Sequence, residues 1–341
     1  MVELIQSLCG LPGPSGMEDT VRAHIISRID GHCEYHVDPL GNLIAFKKGK
    51  HPTANRLLIA AHMDEVGFIV TNITEDGLLR FSCVGGIDTR VLVGKRLRIG
   101  EQGICGVIGT KPMHLVPADE RDKMPAVDSL YIDIGAKDSS DAQRYVMPGD
   151  CAVFDSAFVQ FGDGFIKAKA LDDRVGCVLM IEMIQSPLEY DTCFAFNVQE
   201  EVGCRGAAAS AYSIRPDCAI VLETTTAADI AGVSAEKEVC CLGEGPVISF
   251  MDKGTVYDRM LYRMAFDTAR ERGIPCQPKR LVAGGNEASV IHKSRAGVRT
   301  LAISLPCRYL HSPASVVKVS DIDAALRLCT AVAERMCAAA W

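Results

Sequence analysis

Apolar positions change their period twice along this chain, and the changes divide it into three stretches. In the first 66 residues, Val21, Ile25, Ile26 and Ile29 recur at helical spacing on one face. Asp38-Pro-Leu-Gly-Asn42 is turn chemistry between two strand patterns. Leu57-Leu-Ile-Ala-Ala61 is a short continuous apolar run, as expected of a strand buried on both faces. From 67 to 162 the texture becomes short β-type segments punctuated by glycine: Gly67–Val70, Leu78–Phe81, Arg96–Ile99 and Gly106–Gly109. Glu75-Asp-Gly77 and Gly100-Glu-Gln-Gly103 read as hairpin turns. No useful helical period occurs there, and the prolines of 110–130 predict a loop. Beyond 163 the pattern predicts helices near 173–186, 204–213, 256–272 and 321–338, with strands near 192–199, 218–223 and 299–305. Ser320-Asp-Ile-Asp323 reads as a cap for the last helix. The expected fold is α/β: a mixed sheet flanked by helices from 1–66 and 163–341, interrupted by a small all-β domain at 67–162.

The length of 341 residues agrees with two domains. A net charge of −7 argues against a nucleic-acid partner. No apolar run approaches the roughly 18 residues needed to span a bilayer, so no membrane role is expected. Met1-Val-Glu-Leu-Ile-Gln-Ser-Leu8 lacks a basic segment and reads as a helix, not a secretory signal. The 15 cysteines are odd in number and include no Cys-x-x-Cys pair, which predicts reduced, buried thiols in a cytoplasmic protein.

Candidate chemistry gathers where the apolar runs stop. His62 and Asp64 follow the 57–61 run, and Asp172 and Asp173 open the 173–186 helix. Glu200 and Glu201 close the 192–199 strand pattern, Glu223 ends Ala219–Leu222, and His311 follows the last strand. In open α/β sheets, ligands bind beyond the carboxyl ends of strands. Each residue alone has a plain structural reading. His62 suits a hydrogen-bonded core histidine, Asp172 a helix cap, Glu223 an exposed strand end and His311 a turn residue before Pro313. Asp119-Glu-Arg-Asp122 reads as a solvated loop. The joint pattern weighs against these readings for the site residues. Adjacent buried carboxylates repel each other and need compensation, which a divalent metal supplies. Two imidazoles with three carboxylates hold two metals if one carboxylate bridges, and the donor set suits zinc, cobalt or manganese. A further carboxylate is then needed as general base, which leaves Glu200 if Glu201 binds metal. Asp64 would orient His62 from behind.

Ala61-His-Met-Asp-Glu-Val-Gly67, Ala170-Leu-Asp-Asp-Arg-Val-Gly176, Val198-Gln-Glu-Glu-Val-Gly203 and Arg308-Tyr-Leu-His-Ser-Pro313 resemble the dinuclear metallo-aminopeptidases related to glutamyl aminopeptidase and the tetrahedral (TET) aminopeptidases. Some members of that group carry an endoglucanase label. Leu11–Gly16, Asp38–Asn42 and Gly284–Ala288 also match, so the resemblance runs from near residue 8 to near 335. It implies a phosphorylase/hydrolase-like α/β catalytic domain with an inserted β domain that mediates dimerisation, and six dimers forming a tetrahedral dodecamer. It implies that His62, Asp172 and Glu223 hold one metal and that Asp172, Glu201 and His311 hold the other, with Asp172 bridging. Glu200 would be the base, and the Asp172–Asp173 peptide would be cis. Two departures stand out. The family commonly has Asp at the position of Glu223, and Asn286-Glu287 replaces Thr-Asp or Asn-Asp. Glu287 is expected near the substrate and so bears on residue preference.

The reading is a metal-dependent aminopeptidase acting on short peptides. A glycosidase is the first rival. It needs two carboxylates facing each other across the scissile bond, whereas neighbours on a strand point to opposite sides, and the sole tryptophan is Trp341. A non-catalytic metal-binding assembly protein is the second.

Overall fold

A computed structural model describes residues 1–119 and 121–339. Its centre is an eight-stranded mixed sheet. The spatial order is Glu34–Val37, Leu43–Lys47, Thr192–Asn197, Leu57–His62, Cys218–Thr226, Arg299–Cys307, Val247–Ile248 and Gln277–Pro278. The four strands in the middle run parallel, with Asn197 beside His62 and Glu223 beside Ser304. The chain leaves Leu57–His62, returns on one flank as Thr192–Asn197 and on the other as Cys218–Thr226. Such a reversal leaves a crevice at the carboxyl ends.

The apolar run at 57–61 is buried on both faces, as its composition predicts. Leu57, Ile59 and Ala61 face one core, packed by the helices Val2–Gly10, Asp19–Ile29, Leu171–Gln185 and Val319–Ala338. Leu58 and Ala60 face the other, under Arg205–Ile214 and Ala288–Ile291. Alternation of side chains along a strand divides the two sets.

Six strands between Gly67 and Phe154 close a barrel, in the order Gly67–Ile73, Leu79–Val84, Tyr131–Asp133, Ile104–Gly109, Arg96–Ile99 and Cys151–Phe154. Phe68 fills its centre, edge-on to Phe81 at 5.4 Å and to Phe154 at 5.1 Å. The next strand, Val159–Phe161, pairs with Phe165–Ala168, which pairs with Ser315–Lys318, in a separate three-stranded sheet that begins before residue 162. Asp119, Arg121 and Asp122 are exposed, as a solvated loop requires, while Glu120 lies outside the described residues.

Several local expectations differ from the structure. The last helix starts at Val319 and has no side-chain cap. Asp321 is buried instead and accepts from the N–H groups of Gly243 (2.7 Å) and Gly245 (3.0 Å), tying down a loop. The strand before Glu200 ends at Asn197, because Gln199 turns into the left-handed region (φ 57°). Glu200 and Glu201 therefore sit in a turn, and the opposite-sides argument for a strand does not apply to them. Glu223 lies inside its strand, which continues to Thr226. All fifteen cysteines are free thiols. No helix among the described residues is long and apolar enough to cross a membrane.

Candidate metal centre

His62 is the last residue of its strand and is 1% exposed. Its Nδ1 lies 3.1 Å from the Asp64 backbone carbonyl and 3.4 Å from Asp64 Oδ1. An Nδ1–H donated to that carbonyl leaves Nε2 as the free ligand nitrogen. Nε2 faces Asp172 Oδ1 at 3.3 Å and Glu223 Oε1 at 3.5 Å. On the other side of Asp172, His311 Nε2 lies 3.2 Å from Asp172 Oδ2 and 3.4 Å from Glu201 Oε1. His311 Nδ1 meets the Gly86 carbonyl at 2.7 Å, in the loop that leaves barrel strand Leu79–Val84. Both imidazoles thus turn Nε2 inward, each backed by a carbonyl, with the Asp172 carboxylate between them.

Asp172 reaches this place because it is not part of a regular helical turn. It and Asp173 have non-helical backbone angles, and the peptide joining them is cis, as the resemblance implies. Asp172 does not cap the helix, whereas Asp173 does, through its Oδ1 and the Gly176 N–H. Beneath them a buried ion cluster joins the two segments that carry His62 and Asp172. Lys169 Nζ lies 2.6 Å and an Arg174 nitrogen 3.5 Å from Glu65 Oε1. Arg174 also donates to the carbonyls of Met63 (2.6 Å) and Leu8 (2.7 Å). The sequence reading passed over this cluster. Its signal was three long charged side chains next to apolar runs, at positions with no solvent face.

The electrostatics describe a site short of positive charge. Burial, then the Asp172 charge, pushes Glu201 up to about 8. Burial and the same neighbour carry Glu223 well above the carboxylate range, and burial also raises Glu200. Burial would raise Asp172 too, but the His311 hydrogen bond and the nearby His62 ring hold it well below its ordinary value. His311 is lowered by burial yet raised overall to about 9 by Asp172 and Glu201. Asp172 Oδ1, Asp173 Oδ2 and Glu201 Oε1 are buried without a hydrogen-bond partner. Orphaned carboxylate oxygens beside inward-facing imidazole nitrogens are the donor set a divalent cation requires.

Two groups have ligand atoms within 4.8 Å of one another: His62, Asp172 and Glu201, and His62, Asp173 and Glu223. Asp173 was read from the sequence only as a neighbouring carboxylate. It is fully buried, with Oδ1 accepting from Gly176 N–H at 3.1 Å. Nothing in its spacing distinguished it from Asp172. A narrow cleft opens over Asp172, Glu201 and His311, with Lys169, Ser312 and Phe154 also in its wall.

Asp64 lies two residues beyond the end of the strand that carries His62. Its carboxylate accepts from Ser15 Oγ (2.6 Å) and from the N–H groups of Glu200 (3.0 Å) and Glu201 (3.1 Å). Burial pushes it up, but the His62 and Ser15 bonds bring it below its usual value. Glu287 is fully buried; Asn197 Nδ2 donates to its Oε2 at 2.8 Å, and its Oε1 has no hydrogen-bond partner.

The profile of the M42 glutamyl aminopeptidase family matches residues 41–328. A putative aminopeptidase of Acetivibrio thermocellus is 39% identical over 96% of this chain and 97% of its own. The TET1 peptidase of Pyrococcus horikoshii, which can assemble into a tetrahedron or a large octahedral shell, superposes with a TM-score of 0.87 at 37% identity, over 97% of this chain and 98% of its own. A Thermotoga maritima structure named as an endoglucanase gives 0.80 at 37% identity over 96% of both chains. Matched along most of its length by profile, sequence and fold, the chain belongs to the M42 glutamyl aminopeptidase family and is an aminopeptidase.

Proposed function

We propose that the chain removes N-terminal residues from short peptides at a dinuclear metal site. His62, Asp172 and Glu223 would hold one divalent ion, and Asp172, Glu201 and His311 the other, with Asp172 shared. The observation that carries this reading is the Asp172 carboxylate, whose two oxygens each face a different imidazole, at 3.3 and 3.2 Å. Zinc, cobalt and manganese all suit the donors. When bound, such a pair supplies Lewis-acid polarisation of the scissile carbonyl and a water of lowered pKa.

The protein's own groups then have separate tasks. Glu200 takes a proton from the attacking water and delivers it to the leaving amine as the C–N bond breaks, which fits a carboxylate whose pKa burial has raised. Asp64 holds the His62 ring through its carbonyl and the backbone of both glutamates through its carboxylate. The buried walls exclude bulk water from the reacting centre. Glu223 is longer than the Asp usual in the family, and its Oε1 also accepts from Thr224 N–H at 3.0 Å. That bond folds the extra methylene back along the strand, which supports the same ligand role.

We also propose that the 67–162 insertion, with its barrel, carries a homodimer contact and that dimers build a larger assembly of the kind named for the TET1 peptidase, a tetrahedron or a shell. Exposed apolar side chains on this segment support it, among them Met113, Leu115 and Met147.

Turnover of a panel of aminoacyl p-nitroanilides by chelator-treated protein, with zinc, cobalt or manganese added back, tests the reading. Activity restored by metal, with two ions bound per chain, is expected. The endoglucanase name of one neighbour makes soluble glucan the second substrate. Glu200 and Glu201 are neighbours in one turn, so neither is placed across a sugar from the other. Hydrolysis of glucan without cleavage of any anilide would overturn the proposal.

A further inference from the structure

Among the described residues, the Glu200 carboxylate makes one side-chain hydrogen bond. Cys204 Sγ lies 3.1 Å from Glu200 Oε1. The thiol arrives there through the backbone. Gly203 and Cys204 N–H groups both donate to the Glu200 carbonyl at 2.8 Å, and Cys204 takes a left-handed φ of 53° just before helix Arg205–Ile214. The turn thus brings the side chain back onto the carboxylate four residues earlier. Cys204 is 8% exposed, and Ser289 Oγ donates to its sulfur at 3.9 Å. Burial, then the Glu200 and Glu287 charges, holds the thiol up and protonated, so it is a donor and not a second anion.

We propose that Cys204 is a positioning residue for Glu200: its S–H pins Oε1 and leaves Oε2 to face the attacking water. This rests on the reading of Glu200 as the general base. A carboxylate held at one oxygen keeps the other in a fixed place. A free one swings about its side-chain torsions and spends part of its time turned from the substrate. No metal ligand is involved, so losing the bond should slow the proton transfer without releasing metal.

Cys204→Ala removes the donor, and Cys204→Ser keeps one on a shorter arm. The alanine variant is expected to lose about tenfold in kcat, roughly the worth of one hydrogen bond to a charged group. Its KM and bound metal should stay as in the parent protein. The serine variant should keep kcat to within about threefold. Equal losses in both variants, or no loss in alanine, would overturn the proposal, because packing alone then accounts for Cys204. A second readout needs no turnover. The Raman S–H band of Cys204, isolated as the difference between the metal-free parent and Cys204→Ser, should lie at hydrogen-bonded frequency. It should move toward the free-thiol position in Glu200→Ala. A band already at the free position in the parent overturns the proposal even if peptides are cleaved. A hydrogen-bonded band in a protein that cleaves no peptide supports the contact and overturns the peptidase reading instead.

Discussion

Asp64 holds no metal in the proposed arrangement, yet four groups close on it: Ser15, two backbone N–H groups and the His62 ring. By gripping the N–H groups of Glu200 and Glu201 it sets both glutamates from one point. The different tasks proposed for them follow from where each side chain goes. Glu201 reaches His311, whereas Glu200 meets only the Cys204 thiol. Glu200→Gln should therefore retain both ions after dialysis and lose roughly 10² to 10⁴ in turnover, the usual worth of general acid–base catalysis. Glu201→Gln should lose metal. Metal analysis beside the anilide assay reads both, and the reverse pattern would exchange the two roles. Adjacent glutamates are plain in the sequence. The division of labour proposed for them is not, since it depends on partners at 204 and 311.

At the scale of elements, the barrel reaches into the site through one loop. Gly86 offers its carbonyl to His311, and Gly85 before it has φ 85°. A Cβ on Gly85 would meet Val66 Cγ1 at 2.9 Å and Glu201 Cβ at 3.2 Å. Gly85→Ala is thus strained by its backbone and by contact, at a cost of about 1–3 kcal/mol. The loop should shift away from His311. A lower Tm and weaker retention of metal are expected, measured by calorimetry and by competition with a chromogenic chelator. Unchanged metal affinity would mean that the Gly86 carbonyl is not what orients His311. The 67–162 stretch stood out in the sequence by its glycine-punctuated strands. That its Gly86 carbonyl supports a histidine 225 positions later did not.

For the whole molecule, the ionisable site links stability to pH. Glu201 at about 8 and His311 at about 9 both lie above their ordinary values of 4.5 and 6.5. Each binds protons more tightly when folded. Its contribution is complete below the unfolded value and is lost as pH rises through the folded one. Asp172 is shifted the other way, so its contribution is present above 3.8 and lost only in acid. The metal-free protein should therefore have a lower Tm near about pH 8.5 than near about pH 5.5, and added zinc should narrow the gap. Calorimetry after chelation checks this, and a higher Tm at the alkaline value would refute it. Assembly belongs to the same scale. Met113 is 63%, Leu115 57% and Met147 64% exposed, an apolar surface that a second copy would cover. Light scattering should give a mass well above the 36.7 kDa of one chain, reduced by Met113→Glu with Leu115→Glu. A monomeric mass for the parent protein would reject the interface and leave the metal centre untouched.

The sequence by itself determined the local and periodic features. The doubly buried run at 57–61, the parallel strands that follow, the principal helices and the carboxylates and histidines at the carboxyl ends can all be read there. Side-chain period and the cost of burying charge are local facts that composition carries. Tertiary structure decided what depends on partners distant in the chain. It placed Glu200 and Glu201 in a turn after Asn197, moved Asp321 from helix cap to loop tie, and buried Glu287 completely. It also built the Glu65–Lys169–Arg174 cluster that holds the His62 and Asp172 segments together. Burial and pairing are set by the whole packing, so no window of sequence around any one of these residues contains them.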